Sequence, residues 1–168
     1  MNPEYLNSFL DYLVTILNKS PNTVKEYNYD LAMFLKFIVY HFKLSPAKDF
    51  KDIVIKDLPI DVIKRIELND IHAFLAYLTN TYHSQAATRA RKASSIRVFF
   101  NYLSQKTNLI EKNPAQNLET PKLEKRMPKY LSLDDSKKLL TVTSDEERNK
   151  ERDFAIITLF LNCGLRLS

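Results

Sequence analysis

Apolar residues recur every three or four positions through most of the first 110 residues, which is the spacing of one face of an α-helix. The pattern predicts four amphipathic helices, over residues 3–18, from Pro21 to before Leu44, from about Asn69 onward, and over about 84–107. Ser20 and Pro21 mark the start of the second helix, because a serine hydroxyl caps free backbone N–H groups and proline suits the first helical position. The apolar faces predict these core residues: Leu6, Phe9, Leu10, Leu13, Ile16, Leu17, Val24, Tyr27, Leu31, Phe34, Ile38, Ile71, Phe74, Leu75, Leu78, Ile96, Phe100 and Leu103.

Residues 46–66 fit two descriptions. The run from Ile53 to Ile55 is typical of a short strand, but Pro59 and the lack of a second strand to pair with favour a loop or a helical turn. The whole chain contains a single glycine, Gly164. Because hairpins and strand bends depend on glycine for conformations with positive φ, its near absence favours a helical protein. The expected fold class is therefore all-α.

Prolines and basic residues cluster in the middle of the chain. Residues 113–130 hold three prolines among several lysines and an arginine, a composition typical of an extended linker. We therefore expect three parts: a helical domain over residues 1–112, a basic linker over 113–130, and the beginning of a second domain over 131–168.

Two further helices are predicted after this linker. Ser132, followed three residues later by Asp135, resembles a capping box that opens a helix through about Val142, and another helix covers about 147–162. Gly164 is placed to end that helix in the left-handed conformation. Residues 154–161 are apolar around almost the whole helix, so we expect them to pair with another copy of the chain, to fold back against the first domain, or to fray. Our hypothesis is that a second copy of the chain covers them.

The net charge of +5 is unevenly distributed. Residues 81–130 hold 10 Lys and Arg against 3 Asp and Glu, whereas the segments on either side each carry a net charge of −1. A basic stretch of this kind is typical of a protein that binds a polyanion such as nucleic acid. A solvated basic face that serves solubility explains the charge alone equally well.

Several other classes of protein are excluded by composition. No apolar run approaches the ~18 residues of a membrane span, and the N-terminus lacks the pattern of a signal peptide. Cys163 is the only cysteine, so no internal disulfide can form, which fits a reducing cytoplasm. The three histidines have neither cysteine partners nor close spacing, so no metal site is expected.

The clearest candidate binding surface lies on the fourth predicted helix. Thr88, Arg91, Lys92 and Ser95 fall at positions i, i+3, i+4 and i+7 and therefore share one face, about a quarter turn from the apolar stripe. Residues 84–107 contain no acid, and cations and hydroxyls are the groups that contact phosphates and base edges. We interpret this face as a DNA or RNA contact surface.

Two other segments supply weaker candidates for nucleic-acid contact. Thr23 and Lys25 lie in the first turn of the second helix, where free N–H groups attract phosphate, although residues of this kind are commonly plain caps. The basic residues of the linker are also candidate DNA contacts: Lys122, Lys125 and Arg126.

Arg166 follows the predicted end of the last helix and has two interpretations. A cation near a helix C-terminus is favourable in itself, and Leu165 would then be the apolar residue that often accompanies such a cap. The other interpretation, a functional guanidinium, depends on the resemblance described next.

Several blocks of the sequence together resemble the tyrosine recombinase, or phage integrase, family, in particular its Xer-type members. Residues 20–35 resemble the signature of its core-binding domain, and residues 91–103 are similar to the pattern Arg-Lys-x-Ser-x-x-Arg-x-Phe-Phe-x-Phe-Leu. Residues 110–128 resemble its interdomain linker, and Leu131-Ser132 resembles the opening of its catalytic domain. Residues 163–168 are similar to the box Thr-Gly-Leu-Arg-x-Ser-Glu, with a cysteine in place of the threonine.

The resemblance implies a SAM-like core-binding helical bundle followed by the first helices of a catalytic domain. In that family a tyrosine hydroxyl attacks a DNA phosphodiester to give a 3′-phosphotyrosine, with no metal or nucleotide cofactor. Two arginines hold the non-bridging oxygens, and Arg166 matches the first of them. The implied partners are double-stranded DNA and other recombinase subunits, in a tetramer on DNA. No residue matches the second arginine, the lysine, the histidines or the nucleophile, so we expect this chain to bind DNA without cutting it.

Two other functions remain open on the sequence alone. One is a stand-alone helical DNA-binding module, such as a regulator or a recombinase remnant. The other is a helical protein-interaction domain, for which salt-sensitive DNA binding should be absent.

Overall fold

The structure, a computed structural model, describes residues 2–47, 49–122, 127, 130–145 and 149–164, and for residues 143–145 the backbone alone. These described residues form seven α-helices, one 3-10 turn and no β-strand, which confirms the all-α fold class. The chain divides into two compact units, Met1–Leu123 and Glu124–Ser168.

The helices of the first unit follow the predicted pattern closely. They are α1 (Glu4–Thr15), α2 (Pro21–His41), α3 (Ile60–Lys64), α4 (Leu68–Tyr82) and α5 (Ala86–Gln105). Helix α2 begins as predicted, because Ser20 Oγ accepts a hydrogen bond from the backbone N–H of Thr23 at 3.3 Å and Pro21 occupies the first position. Since α2 contacts α1, α4 and α5, it is the central helix of this bundle.

Aromatic side chains fill the core of the first unit. The largest of them, all less than 2% exposed, are Phe9, Phe34, Phe74, Phe99 and Phe100. The rings of Phe34 and Phe74 meet edge to face with centroids 5.2 Å apart, and those of Phe9 and Phe99 do so at 5.3 Å. Each such pair adds about 0.5–1.5 kcal/mol to the stability that burial alone provides. One continuous core therefore joins α1, α2, α4 and α5.

The end of α1 differs from the prediction. The helix ends at Thr15, and the two apolar residues expected to extend its buried face are exposed, Ile16 by 68% and Leu17 by 38%. Asn18 adopts the left-handed conformation with φ 48°, and the N–H of the next residue donates to the carbonyl of Leu13. Asparagine tolerates this conformation, which closes a helix in the same way as a C-terminal glycine. The apolar pattern thus continues past the true end of the helix.

The ambiguous segment between α2 and α4 forms a loop with helical turns. A 3-10 turn covers Phe50–Asp52, and α3 follows Pro59. Ile53 and Ile55 are buried while Val54 is 73% exposed, so the side chains alternate as they would in a strand. No strand pairs with them among the described residues, and the loop interpretation is confirmed.

The segment after α5 packs into the first unit. Ile110, Ala115 and Leu118 are buried in its core. Arg97 on α5 holds the segment in place by donating to the backbone carbonyl of Leu118 at 2.6 Å and to Thr120 Oγ1 at 3.0 Å. The first residues of the predicted linker, from 113 to 118, are therefore part of the folded bundle rather than an extended connection.

The second unit contains the two helices predicted for it, α6 (Leu133–Asp145) and α7 (Lys150–Cys163), which pack against each other. Ser132 Oγ accepts a hydrogen bond from the backbone N–H of Asp135 at 3.1 Å, which confirms the predicted cap of α6. Gly164 has φ 59° and ψ 34°, and its N–H donates to the carbonyl of Phe160 at 3.1 Å. The left-handed end of α7 is thus confirmed.

Helix α7 is apolar and exposed at the same time. None of its residues, all of which the structure describes, is buried. Phe154 and Ile156 are each 43% exposed, and Leu159 is 53% exposed. The expectation that another surface covers this helix therefore stays a prediction.

Candidate nucleic-acid interface

The centre of the candidate site is Asp30, a carboxylate on α2 with no exposed surface. Three side chains of α5 donate hydrogen bonds to it. Arg91 does so twice, from Nη1 to Oδ2 at 2.6 Å and from Nη2 to Oδ1 at 2.9 Å. Lys92 Nζ donates to Oδ1 at 2.7 Å, and Ser95 Oγ donates to Oδ2 at 2.9 Å. The carboxylate of Asp30 therefore has four donors within hydrogen-bond distance.

Such a set of partners is what a buried carboxylate requires. Removing a charge from water costs several kcal/mol, and the cost is offset only when opposite charges and hydrogen bonds surround it. The negative charge of Asp30 also acts on its surroundings. Burial raises the pKa of the Tyr27 hydroxyl above its usual value, and the charge of Asp30 raises it further. This network fixes the register between α2 and α5.

Arg91 is the part of the network that reaches the surface. Its side chain is 43% exposed, although its guanidinium is anchored on a carboxylate with no exposure. Nη1 also lies 3.0 Å from Oε2 of Glu26, whose side chain is 58% exposed. Arg91 is thus held between one buried carboxylate and one exposed carboxylate.

Lys92 and Ser95 do not lie on a solvent-facing surface, so that part of the prediction is wrong. They are 3% and 2% exposed, and both point to Asp30. Lys92 Nζ also lies 4.8 Å from the centre of the ring of Tyr29, at the distance of a cation–π contact. The reason is that the face of α5 that carries these residues packs against α2. An acid on another helix supplies the counter-charge that the sequence of α5 itself lacks.

Sequence reasoning placed Asp30 only within the core-binding signature of residues 20–35 and did not predict that it is buried against α5, although a signal for this was present. Tyr27, Asp30 and Phe34 lie at i, i+3 and i+7 of α2, so the acid is placed on the apolar face of its helix. A single acid on an apolar face indicates a buried partner of opposite charge. Of the three segments compared in the sequence, residues 81–130 alone carry excess positive charge, and they contain α5.

The other candidate residues occupy varied positions. Thr88 is half-buried one turn before Arg91, and Lys25 is exposed on α2. Thr23 takes part in the cap of α2, where its Oγ1 lies 2.9 Å from Ser20 Oγ. Lys122 is exposed near the end of the first unit. The remaining candidates lie outside the described residues: Lys125, Arg126 and Arg166.

Two further cations of α5 are engaged with neutral groups of the backbone. Arg89 donates to the carbonyl of Ser84, and Arg97 donates to that of Leu118. Because a carbonyl does not neutralise a guanidinium, both residues keep their full charge. The net positive charge of α5 therefore comes from Arg89 and Arg97, whereas Arg91 and Lys92 are paired with carboxylates of α2.

Two features are absent from the part of the chain that the structure describes: a membrane-spanning helix and a cluster of metal ligands. No helix among the described residues is long and apolar enough to cross a bilayer. The same residues contain no group of three or more His, Cys, Asp or Glu side chains that could hold a metal ion.

Comparison with known proteins finds tyrosine recombinases among the relatives of this chain. No protein-family model matches the chain, and no solved structure matches it. Tyrosine recombinase XerC of Caldanaerobacter subterraneus is 49% identical over 167 residues, which are 99% of this chain and 47% of the relative. A tyrosine recombinase of Pseudothermotoga lettingae is 31% identical over 97% of the chain and 49% of its own length. XerC of Leptospira interrogans is 30% identical over 98% of the chain and 47% of its own length.

These alignments and the all-α fold define the class of the protein: the chain belongs to the tyrosine recombinase family. Within that family, its relatives include several proteins named XerC, so the Xer-type resemblance is confirmed. The chain spans about half the length of the curated relatives it matches.

Proposed function

We propose that this chain is the DNA-binding part of a site-specific tyrosine recombinase, and that α2 and α5 form the surface that contacts the duplex. The observation that carries the proposal is that Arg91 is exposed to solvent and at the same time anchored on Asp30. Its side chain is 43% exposed, yet two hydrogen bonds to a buried carboxylate fix its guanidinium. A cation that is both accessible and immobile suits contact with a phosphate or a guanine, because less side-chain entropy is lost on binding.

Residues near Arg91 extend the proposed surface. Thr88 lies one turn before it on α5, and Lys25 is exposed on α2. We propose that these residues and the side chain of Thr23 contact phosphates. Further phosphate contacts are assigned to three basic residues at the end of the first unit and just after it in sequence: Lys122, Lys125 and Arg126.

Lys92 and Ser95 take an indirect part in this proposal. Both donate to Asp30, so they position the carboxylate that anchors Arg91. They are positioning residues rather than DNA contacts. Loss of either should affect DNA binding through the placement of Arg91 and through the stability of the bundle.

The proposal for the whole protein rests on the names of the relatives. We propose that the complete recombinase exchanges DNA strands through a 3′-phosphotyrosine, without a metal or nucleotide cofactor and together with other recombinase subunits. Arg166, as the first of two arginines, would stabilise the charge that develops on the non-bridging oxygens. We propose that none of the nine tyrosines of this chain is the nucleophile of the family. The chain by itself should therefore bind DNA and leave it uncut.

Salt-dependent binding to duplex DNA tests the first part of this proposal. We expect Lys25→Ala to weaken binding and to reduce the slope of log K against log salt concentration by about one unit, the value for one lost phosphate contact. The matched control is Lys64→Ala, which removes an exposed lysine from α3. Fluorescence anisotropy over a series of salt concentrations measures both quantities. Absence of salt-sensitive binding by the unmodified chain would instead favour a protein-interaction domain.

A trapping experiment tests the second part. Duplex DNA with a bridging phosphorothiolate retains a tyrosine that has attacked it, because the sulfur leaving group does not reverse the reaction. We expect denaturing electrophoresis to detect no covalent adduct with this chain. An adduct on any of its nine tyrosines would overturn the view that they are structural.

A further inference from the structure

Glu26 stands beside the proposed DNA contact with the wrong charge for a phosphate. It lies on α2 one helical turn before Asp30, and its Oε2 is 3.0 Å from Nη1 of Arg91. Its side chain is 58% exposed, whereas that of Asp30 has no exposure. The two carboxylates therefore hold the same guanidinium from different environments.

The two contacts differ in strength for a physical reason. The pair of Arg91 with Asp30 is shielded from water and has two hydrogen bonds, so breaking it would leave a buried charge without one of its partners. The pair with Glu26 is exposed to solvent on both sides, where ion pairs contribute little and are screened by salt. When a stronger anion approaches Arg91, the contact with Glu26 is the one that breaks.

The chemistry of the guanidinium leaves room for such an anion. Each terminal nitrogen of an arginine carries two N–H groups. Asp30 accepts one from Nη1 and one from Nη2, so one on each nitrogen remains for another acceptor. Glu26 lies against Nη1 and occupies one of these two positions, so it competes there with a phosphate oxygen.

Glu26 also sets the charge of the cluster. Asp30 and Glu26 balance Arg91 and Lys92, so the four side chains together are formally neutral. Without Glu26 the same cluster would carry one positive charge, and its hydrogen bonds to Asp30 would be unchanged.

We propose that Glu26 competes with DNA phosphate for Arg91: it pairs with the guanidinium in the free protein and is displaced when a duplex binds. The inference rests on the proposed function, since it concerns the same surface. Because the cost of displacement applies to every sequence, Glu26 lowers affinity for DNA in general. A cost common to all sequences leaves the ratio of affinities between two sites unchanged, so Glu26 sets the strength of DNA binding rather than the choice of site.

The test compares Glu26→Gln with the unmodified full chain on a duplex of arbitrary sequence. We expect the variant to bind about fivefold more tightly at low salt, the upper range for release of an exposed ion pair, and to have a steeper salt dependence. The matched control is Asp61→Asn, which removes an 81% exposed carboxylate that lies 3.1 Å from Lys64 on α3. This control should change affinity less than twofold. Thermal melting should be the same for Glu26→Gln and the unmodified chain.

A second background shows whether Glu26 acts through Arg91. In Arg91→Gln the gain from Glu26→Gln should disappear, because no guanidinium remains to be released. Arg91→Lys serves the same purpose if the first background does not fold, since it keeps one cation on Asp30 and loses the forked pair. An undiminished gain in both backgrounds would overturn the proposal.

The outcomes separate the inference from the function on which it rests. If the unmodified chain and Glu26→Gln both fail to bind duplex DNA, the result contradicts the proposed function and the role of Glu26 alike. If the unmodified chain binds with the expected salt dependence and Glu26→Gln binds equally or more weakly, only the inference is overturned. The weaker binding would indicate that Glu26 accepts a hydrogen bond from a base.

Discussion

Helices α5 and α7 reverse the usual relation between the polarity of a helix and its burial. Helix α5 has four basic residues and no acid, yet nine of its residues are buried, and Lys92 and Ser95 are among them. Helix α7 contains the apolar run 154–161, yet none of its residues is buried. The more polar helix is the one inside the protein.

The difference lies in the elements that face each helix. Helix α5 packs against α2 and α4, and α2 supplies the carboxylate of Asp30 that makes burial of a lysine tolerable. In the second unit, α7 packs against α6, which covers one side of it. Composition therefore sets how much free energy a helix gains from burial, whereas its neighbours decide whether burial occurs.

The same leucine-to-alanine substitution in the two helices should have very different effects on stability, and this is the largest effect that we expect. Leu103 on α5 has no exposed surface, and Leu159 on α7 is 53% exposed. We expect Leu103→Ala to lower the free energy of unfolding of the first unit by about 2–5 kcal/mol, because it leaves a cavity in a packed core. Leu159→Ala should change the stability of the second unit by no more than about 0.5 kcal/mol.

Urea denaturation combined with hydrogen exchange of α5 and α7 amides measures the two units separately. The protein concentration must be low, since association between chains would also bury Leu159. Equal losses for the two variants under these conditions would mean that α7 is covered within a single chain.

The buried charges of α5 give the next largest expected effect. Lys92→Met keeps the length of the side chain and removes one of the two cations on Asp30, so we expect a loss of about 3 kcal/mol in the free energy of unfolding. Adding Asp30→Asn should recover part of this loss, because a neutral amide does not need a second cation. Urea denaturation of the single and double variants gives the coupling energy.

A lysine on the surface provides the control for this experiment. Lys25→Met on α2 should change stability by less than about 0.5 kcal/mol, since Lys25 is exposed. Additive effects of Lys92→Met and Asp30→Asn would contradict the view that the two residues stabilise the fold as a pair.

Local signals explain why most helices could be predicted from the sequence. Helix α2 begins at Ser20 and Pro21, α6 follows the Ser132 cap, and α7 ends at Gly164, so the pattern and the caps agree. The end of α1 was predicted too late because the cap there is a left-handed asparagine, Asn18, within an unbroken apolar pattern. Caps of this type carry a weaker signal than glycine.

The site was predictable only in part. The spacing of α5 identified Arg91 as a candidate contact, and the structure places it at the surface. Burial of Lys92 could not be read from α5, because it depends on the register with which α2 packs against it. The burial of Ala115 and Leu118 was missed for a related reason: proline-rich composition indicates irregular backbone, which usually lies on the surface, but here its apolar side chains pack into the core.

The smallest expected effect concerns self-association through α7. Phe154 and Leu159 are about half exposed, and exposed apolar surface of this kind commonly pairs with another apolar surface. Full burial of such a side chain contributes about 1.5–3 kcal/mol, of which a half-exposed residue has part still to gain. We therefore expect Phe154→Gln with Leu159→Gln to weaken association of the chain by about tenfold, the equivalent of roughly 1.4 kcal/mol.

Light scattering over a range of protein concentrations measures this change. The control is Val54→Gln, which alters a 73% exposed apolar residue in the first unit and should leave association unchanged. Hydrogen exchange of residues 154–161 should become slower as concentration rises in the unmodified chain, because association buries this helix. If the unmodified chain stays monomeric at high concentration while these amides are strongly protected, then α7 is buried within one chain and the hypothesis of self-association is wrong. In that case the contrast between α5 and α7 would disappear as well.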